Sequence, residues 1–115
     1  MRKNDKKIDN QLRVMLTEIC ETELDRTNGF AWLTHTANYS NFPSSLKIAC
    51  VFDTNDELSQ FTSSQSASAL TSLIQKRCEA LGIQFKRASE HIIYDSEERC
   101  NSQHQGNWSK RLKSL

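Results

Sequence analysis

FAWLTHTANYSNFPSSLKIACVF, residues 30–52, separates this chain from an all-helical bundle. From Phe30 to Tyr39 the side chains alternate, with Phe30, Trp32, Thr34 and Thr36 on one face and Ala31, Leu33, His35, Ala37 and Tyr39 on the other. That two-residue period is the period of a strand. The polar run Ser40-Asn41-Phe42-Pro43-Ser44-Ser45 contains the single proline and reads as a turn or short loop. Leu46 to Phe52 is apolar throughout except for Lys47, which marks a central strand covered on at least one side. Two strands joined so briefly predict an antiparallel hairpin.

Helical periods flank the hairpin on both sides. From Asp5 to about Asp25, Ile8, Leu12, Met15, Leu16, Ile19 and Leu24 recur at spacings of three and four, which predicts an amphipathic helix capped by Asn4 or Asp5 and ended by Thr27-Asn28-Gly29. Its basic residues fall in the first half and its acids in the second. This order opposes the helix dipole at both ends, so packing of the apolar stripe must hold the helix. After the hairpin, Thr54 or Asn55 caps a second helical region in which Leu58, Phe61, Leu70, Leu73, Ile74, Cys78 and Leu81 keep helical spacing up to Gly82. The serine-rich run Thr62 to Ser68 interrupts it with weak helix formers, leaving either one long helix with a soft middle or two helices. Ile83 to Lys86 alternates as a third strand and Glu90 to Tyr94 as a fourth, joined by Arg87-Ala88-Ser89 into a second hairpin. Asp95 and Glu98 stand at capping-box spacing before a short helix to about Gln103, and Asn107 caps a terminal turn containing Trp108 and Leu112. The expectation is one α+β domain over residues 1–115, in the order α-β-β-α-β-β-α, with a mainly antiparallel sheet packed by helices on one face.

The composition agrees with a small packed domain. The chain has 115 residues, 37% hydrophobic and 25% charged, with three glycines and one proline. The charged start Met1-Arg2-Lys3-Asn4-Asp5-Lys6-Lys7 leads into an amphipathic segment and not an apolar run, so a cytosolic location is expected, with no secretory signal and no membrane association. Cys20, Cys50, Cys78 and Cys100 lie far apart without a paired motif, and the first three sit among apolar neighbours. Three buried thiols and an exposed Cys100 are expected, all reduced.

Motifs for chemistry are sparse. Cys100 and His104, four apart, are the only local pair suited to a metal or a thiol–imidazole site, and they make half of one. The acid pairs Asp56-Glu57 and Glu97-Glu98 stand at predicted helix starts, where capping accounts for them. Three glycines leave little material for a phosphate loop. A non-enzymatic domain is therefore expected, with no catalytic, metal or cofactor residues assigned.

The formal charge of +1 hides a pattern: residues 1–13 carry five basic and two acidic groups, residues 14–75 two and seven, and residues 76–115 eight and five. Near the C-terminus Trp108 stands beside Lys110, Arg111 and Lys113, a set able to stack on a base and contact phosphates. The plainer reading docks Trp108 and Leu112 on the sheet and leaves the three cations in solvent. His35, Tyr39 and Phe42 form a candidate aromatic patch near the hairpin turn, suited to a protein partner or to self-association. The expected function is a binding or adaptor domain acting through a macromolecular partner, preferably a protein because the middle of the chain is acidic. The alternative is a weak RNA- or DNA-binding regulator that uses the basic ends.

Gly29 to His35, Asn41-Phe42-Pro43 with Leu46 to Asp53, Tyr94 to Glu98 and Gly106-Asn107-Trp108 together resemble a family of small bacterial proteins, some labelled "Fis family transcriptional regulator". That label implies an all-helical dimer ending in a helix-turn-helix, whereas this chain has strand periodicity through its middle. No residue role is carried over from it. The helix-strand-strand-helix-strand order also resembles type II KH-like and BolA modules, without the GXXG clamp of the KH family.

Overall fold

A computed structural model describes residues 2–114 and contains five helices around a three-stranded sheet. The first helix, α1 (Lys3–Arg26), runs two residues earlier than its apolar stripe implies, and Arg2 stands at its N-cap without a side-chain bond. Leu12, Met15, Leu16 and Ile19 bury the stripe. It closes on Glu23, not on Leu24. Glu23 lies one turn beyond Ile19 and is 2% exposed, whereas Leu24, one residue further round, is 50% exposed. Arg26 and Thr27 make that burial tolerable by donating to the Glu23 carboxylate at 2.7, 3.1 and 2.9 Å.

The first hairpin is present: β1 (Phe30–Thr36) pairs antiparallel with β2 (Lys47–Phe52). A bulge at Ala31 breaks the simple alternation, so Phe30 opposes Phe52 while Trp32 opposes Val51. Phe30 therefore joins Leu33 in the main core, and Trp32 turns to the opposite face. From β2 the chain enters α2 (Asn55–Thr62), whose cap is Thr54, its hydroxyl accepting from the Glu57 amide at 3.1 Å. The serine-rich run breaks the helical region after Thr62. Ser64 then caps α3 (Gln65–Ala80).

The second hairpin is not formed. Gly82, at φ +83°, ends α3 with Gly82 N–H donating to the Glu79 carbonyl at 2.9 Å and Ile83 N–H to that of Cys78 at 2.9 Å. This Schellman closure spends the amide that a strand starting at Ile83 would need. Ile83 is buried and Phe85 half-buried, so the alternation of Ile83 to Lys86 reports packing on the core and not a ladder. After a turn of 3₁₀ helix at Ala88–Glu90, β3 (Ile92–Ser96) pairs parallel with β2, giving the order β1-β2-β3. The sheet is thus mixed, with one antiparallel and one parallel pair. The α2–α3 crossover supplies the physical reason, because it returns the chain to the end of the sheet where β2 began.

Helices cover both faces, not one. On the first, Ile48, Cys50 and Phe52 pack with α1, α2, α3 and Ile92. Ala49 and Val51 are also buried but belong to the second face, alongside Trp32, Ile93 and Asp95. Two short helices reach that face, α4 (Glu97–His104) and α5 (Trp108–Ser114). Ser96, not Asp95, caps α4, accepting from the Arg99 amide at 3.0 Å. Asn107 caps α5, accepting from the Lys110 amide at 3.1 Å. Among the described residues no helix is long and apolar enough to cross a membrane.

Candidate functional site

Of the candidate residues near the C-terminus, Trp108 and Arg111 lie in a structural cluster under α5. Asp95 points from β3 to the second face, where Arg111 meets it with a bidentate fork, Nε to Oδ2 at 2.5 Å and Nη2 to Oδ1 at 2.9 Å. The remaining guanidinium nitrogen, Nη1, donates to Gln103 Oε1 at 2.9 Å and His104 Nδ1 at 3.1 Å. Arg111 is 4% exposed and Asp95 2%. The docking residue is thus a cation that sequence reasoning had placed in solvent or on phosphate. Trp108 is also engaged, crossing Trp32 edge-on at 4.8 Å, with both indole nitrogens donating to the Glu97 carboxylate. Lys110 and Lys113 remain exposed.

Cys100, expected outside, is fully buried beneath this cluster, and Cys20, expected inside, is only partly covered. All four thiols are free, and burial pushes every one above its ordinary value, Cys78 to about 11. Neutral thiols of this kind are poor nucleophiles. His104 faces Arg111 and makes no pair with Cys100. Among the described residues no three His, Cys, Asp or Glu side chains gather as a metal ion would require.

His35, Tyr39 and Phe42 do come together, but around a residue that periodicity did not single out. Asp9 of α1 accepts from Tyr39 Oη at 2.6 Å and from His35 Nε2 at 2.9 Å, while Arg13 approaches its other oxygen at 2.8 Å. Phe42 lies against the Tyr39 ring at 5.1 Å. The patch is a clasp between α1 and the hairpin. Its only signal in the sequence is a carboxylate beside Ile8, on the flank of the apolar stripe. The hydrogen bond from Tyr39, then that from His35, holds the Asp9 carboxyl below its ordinary value against the opposing effect of burial. Burial, then Asp9, drives the Tyr39 hydroxyl well above the ordinary tyrosine value.

The sign of the resulting pH dependence follows from linkage. A carboxyl depressed on folding adds stability that is complete above the unfolded value of about 3.9, and that stability is lost as pH falls through the folded value. Asp9→Asn is therefore expected to lower the urea midpoint at pH 7, and its gap to wild type should narrow as pH falls below about 4 toward the lowered folded value, where wild type loses the charge as well. An equal gap at pH 7 and pH 3 would remove the ionised clasp.

Of the concave surfaces among the described residues, two exceed about 300 Å³. One, about 480 Å³, lies where β2 and β3 begin, between Pro43, Ser44, Gln84, Lys86, Glu90 and His91. The His91 ring is fixed there by Nδ1 donating to the Leu46 carbonyl at 2.7 Å and by stacking on Phe85 at 4.3 Å. Its charged rim, Lys86 and Glu90, is of mixed sign. The other, about 370 Å³, runs along α1 and the end of α3, lined by Asn10, Gln11, Val14, Met15, Glu18, Arg77 and Leu81. Val14 borders it with 61% of its surface exposed. In the sequence the signal for this groove is an aliphatic residue lying off the helix's buried stripe. Compared with protein-family models, with curated protein sequences and with solved structures, the chain matches none.

Proposed function

We propose that the chain is a non-enzymatic cytosolic binding domain whose partner is a protein, held on the face formed by α1 and α3. The observation that carries this reading is Val14. Together with Leu24 it is an exposed large hydrophobic residue, and it stands beside an apolar groove floored by Met15 and Leu81. A groove able to take an aliphatic side chain, rimmed by polar residues, has the anatomy of a protein interface. The raised thiols of all four cysteines fit a domain without nucleophilic chemistry.

The nucleic-acid alternative draws on Lys110 and Lys113 and on Arg2, Lys3, Lys6 and Lys7 at the start of α1, all exposed. It loses Arg111 to Asp95 and the Trp108 ring to Trp32 and Glu97. Capture of the tagged full chain from its own cells after nuclease treatment, in parallel with Val14→Asp, separates the two readings. A protein retained by wild type and reduced at least about tenfold by Val14→Asp is the expected result. Identical captures from both would overturn the α1–α3 reading. Loss of all binding on nuclease treatment, with gel shifts at ~50 mM salt that fade as salt rises, would favour the alternative.

A further inference from the structure

The charge order of α1, unfavourable within one molecule, is complementary to itself when reversed. Val14 lies at the middle of the helix Lys3–Arg26. At 3.6 residues per turn, Lys3, Lys7, Glu21 and Asp25 lie within about 20° of Val14 around the helix axis, and all four are exposed. Lys3 and Lys7 occupy one end of this stripe and Glu21 and Asp25 the other. A second α1 laid antiparallel across the first, with Val14 on the two-fold axis, sets Lys7 against Glu21 and Lys3 against Asp25, each pair twice. The intermediate positions bring Asn10 against Glu18. No like charges meet along the stripe. A parallel arrangement would instead set lysine on lysine and glutamate on glutamate, so the pattern selects one orientation.

The apolar centre fits the same geometry. The groove beside Val14 is about 370 Å³ and is bounded at one side by the Glu18–Arg77 ion pair, Oε2 to Nη2 at 2.5 Å. It is open next to the two-fold position, so each Val14 can enter the groove of the other copy. An isologous contact requires a surface that complements itself under rotation, and this stripe does.

The geometry points to a second copy of this chain as the occupant of the α1 face, in an antiparallel homodimer centred on Val14. This rests on the reading of that face as a protein-binding surface and gives the partner its identity. The contact is small and its ion pairs are exposed, so the dimer is a weak one that dissociates as salt rises.

Sedimentation velocity on the full chain, across roughly 1 to 300 μM at ~50 mM and ~500 mM salt, provides the test, with far-UV circular dichroism to show that each variant is folded. A concentration-dependent dimer is expected at low salt, with a dissociation constant at least about fivefold weaker at high salt. Val14→Asp abolishes it. Lys7→Glu and Glu21→Lys each weaken it about tenfold, and the two together in one chain restore it, because the swapped charges meet again across the axis. A monomer at every concentration, a dimer indifferent to Val14→Asp, or a double variant no better than either single would each overturn the proposal. If the chain is monomeric yet its captured protein partner still depends on Val14, the binding reading stands and only the homodimer falls.

Discussion

Replacing Arg111 by alanine is expected to cost about 3–5 kcal/mol, the range for breaking a buried ion pair from one side. The loss comes less from the missing attraction than from what is left behind. Asp95, 2% exposed in the intact fold, loses both bonds of the fork and keeps the Ser96 amide at 2.9 Å as its bonded donor among those in the structure. An intact pair of this kind says little about net stability, since removing both charges from water is itself expensive. Here it has a positional role. The seven residues of α5 are too few to be helical alone, and they are held by Arg111 on Asp95 and by Trp108 on Trp32 and Glu97. Urea unfolding of Arg111→Ala should show the midpoint shift, and the fluorescence of Trp108 and Trp32 should change even in native buffer as their edge-on contact loosens. Arg111→Lys keeps the charge but not the planar fork, so it should recover only part of the loss. A cost below about 1 kcal/mol for Arg111→Ala would mean that the pair is open to solvent.

Arg111 also shows where sequence reading reaches its limit. Periodicity finds apolar stripes, so α1, the β1–β2 hairpin and the cap Asn107 were legible, while the division between α2 and α3 and the cap Thr54 were each one of two alternatives that the residues left open. A cation four residues from a tryptophan looks the same whether it faces water or a carboxylate brought over by another element. Asp95 itself was read as part of a helix start, because a strand that runs directly into a helix leaves no loop signal between them; Ser96 serves as both the last strand residue and the cap. The parallel pairing of β3 was illegible for a different reason. Ile83 to Lys86 has the alternation of a strand, but pairing depends on where the α2–α3 crossover delivers the chain, a property of three dimensions. The structure gathers His35, Tyr39 and Phe42 around Asp9, twenty-six residues before His35 and without a periodic signal of its own.

Phe52→Ala is expected to destabilise the fold by about 3–5 kcal/mol, the cost of emptying a fully buried aromatic site that cannot collapse. Phe52 is 0% exposed at the end of β2, where aromatic rings from two other elements meet its own. The Phe30 ring meets it edge-on at 5.6 Å from the start of β1, and the Phe61 ring at 4.9 Å from α2. Phe61 in turn packs on Tyr94 of β3 at 5.8 Å, and the Tyr94 hydroxyl is bound by Thr71 and the Ala67 carbonyl of α3. One ring thus anchors a chain of contacts that locks the antiparallel pair, the crossover and the parallel strand together. Because these neighbours belong to paired strands and helices, they cannot move inward to fill the space without breaking backbone hydrogen bonds, and the cavity persists. Phe52→Leu keeps most of the apolar volume and should cost only about 1–2 kcal/mol. Against a total stability on the order of 5–15 kcal/mol for a domain of this kind, the alanine variant should lose a large share of its folded margin, and the leucine variant should not. Urea midpoints of the two variants, taken at equal slope, measure the difference. An alanine variant within about 1 kcal/mol of wild type would mean that the Phe30–Phe52–Phe61–Tyr94 chain is not what joins the sheet to the crossover.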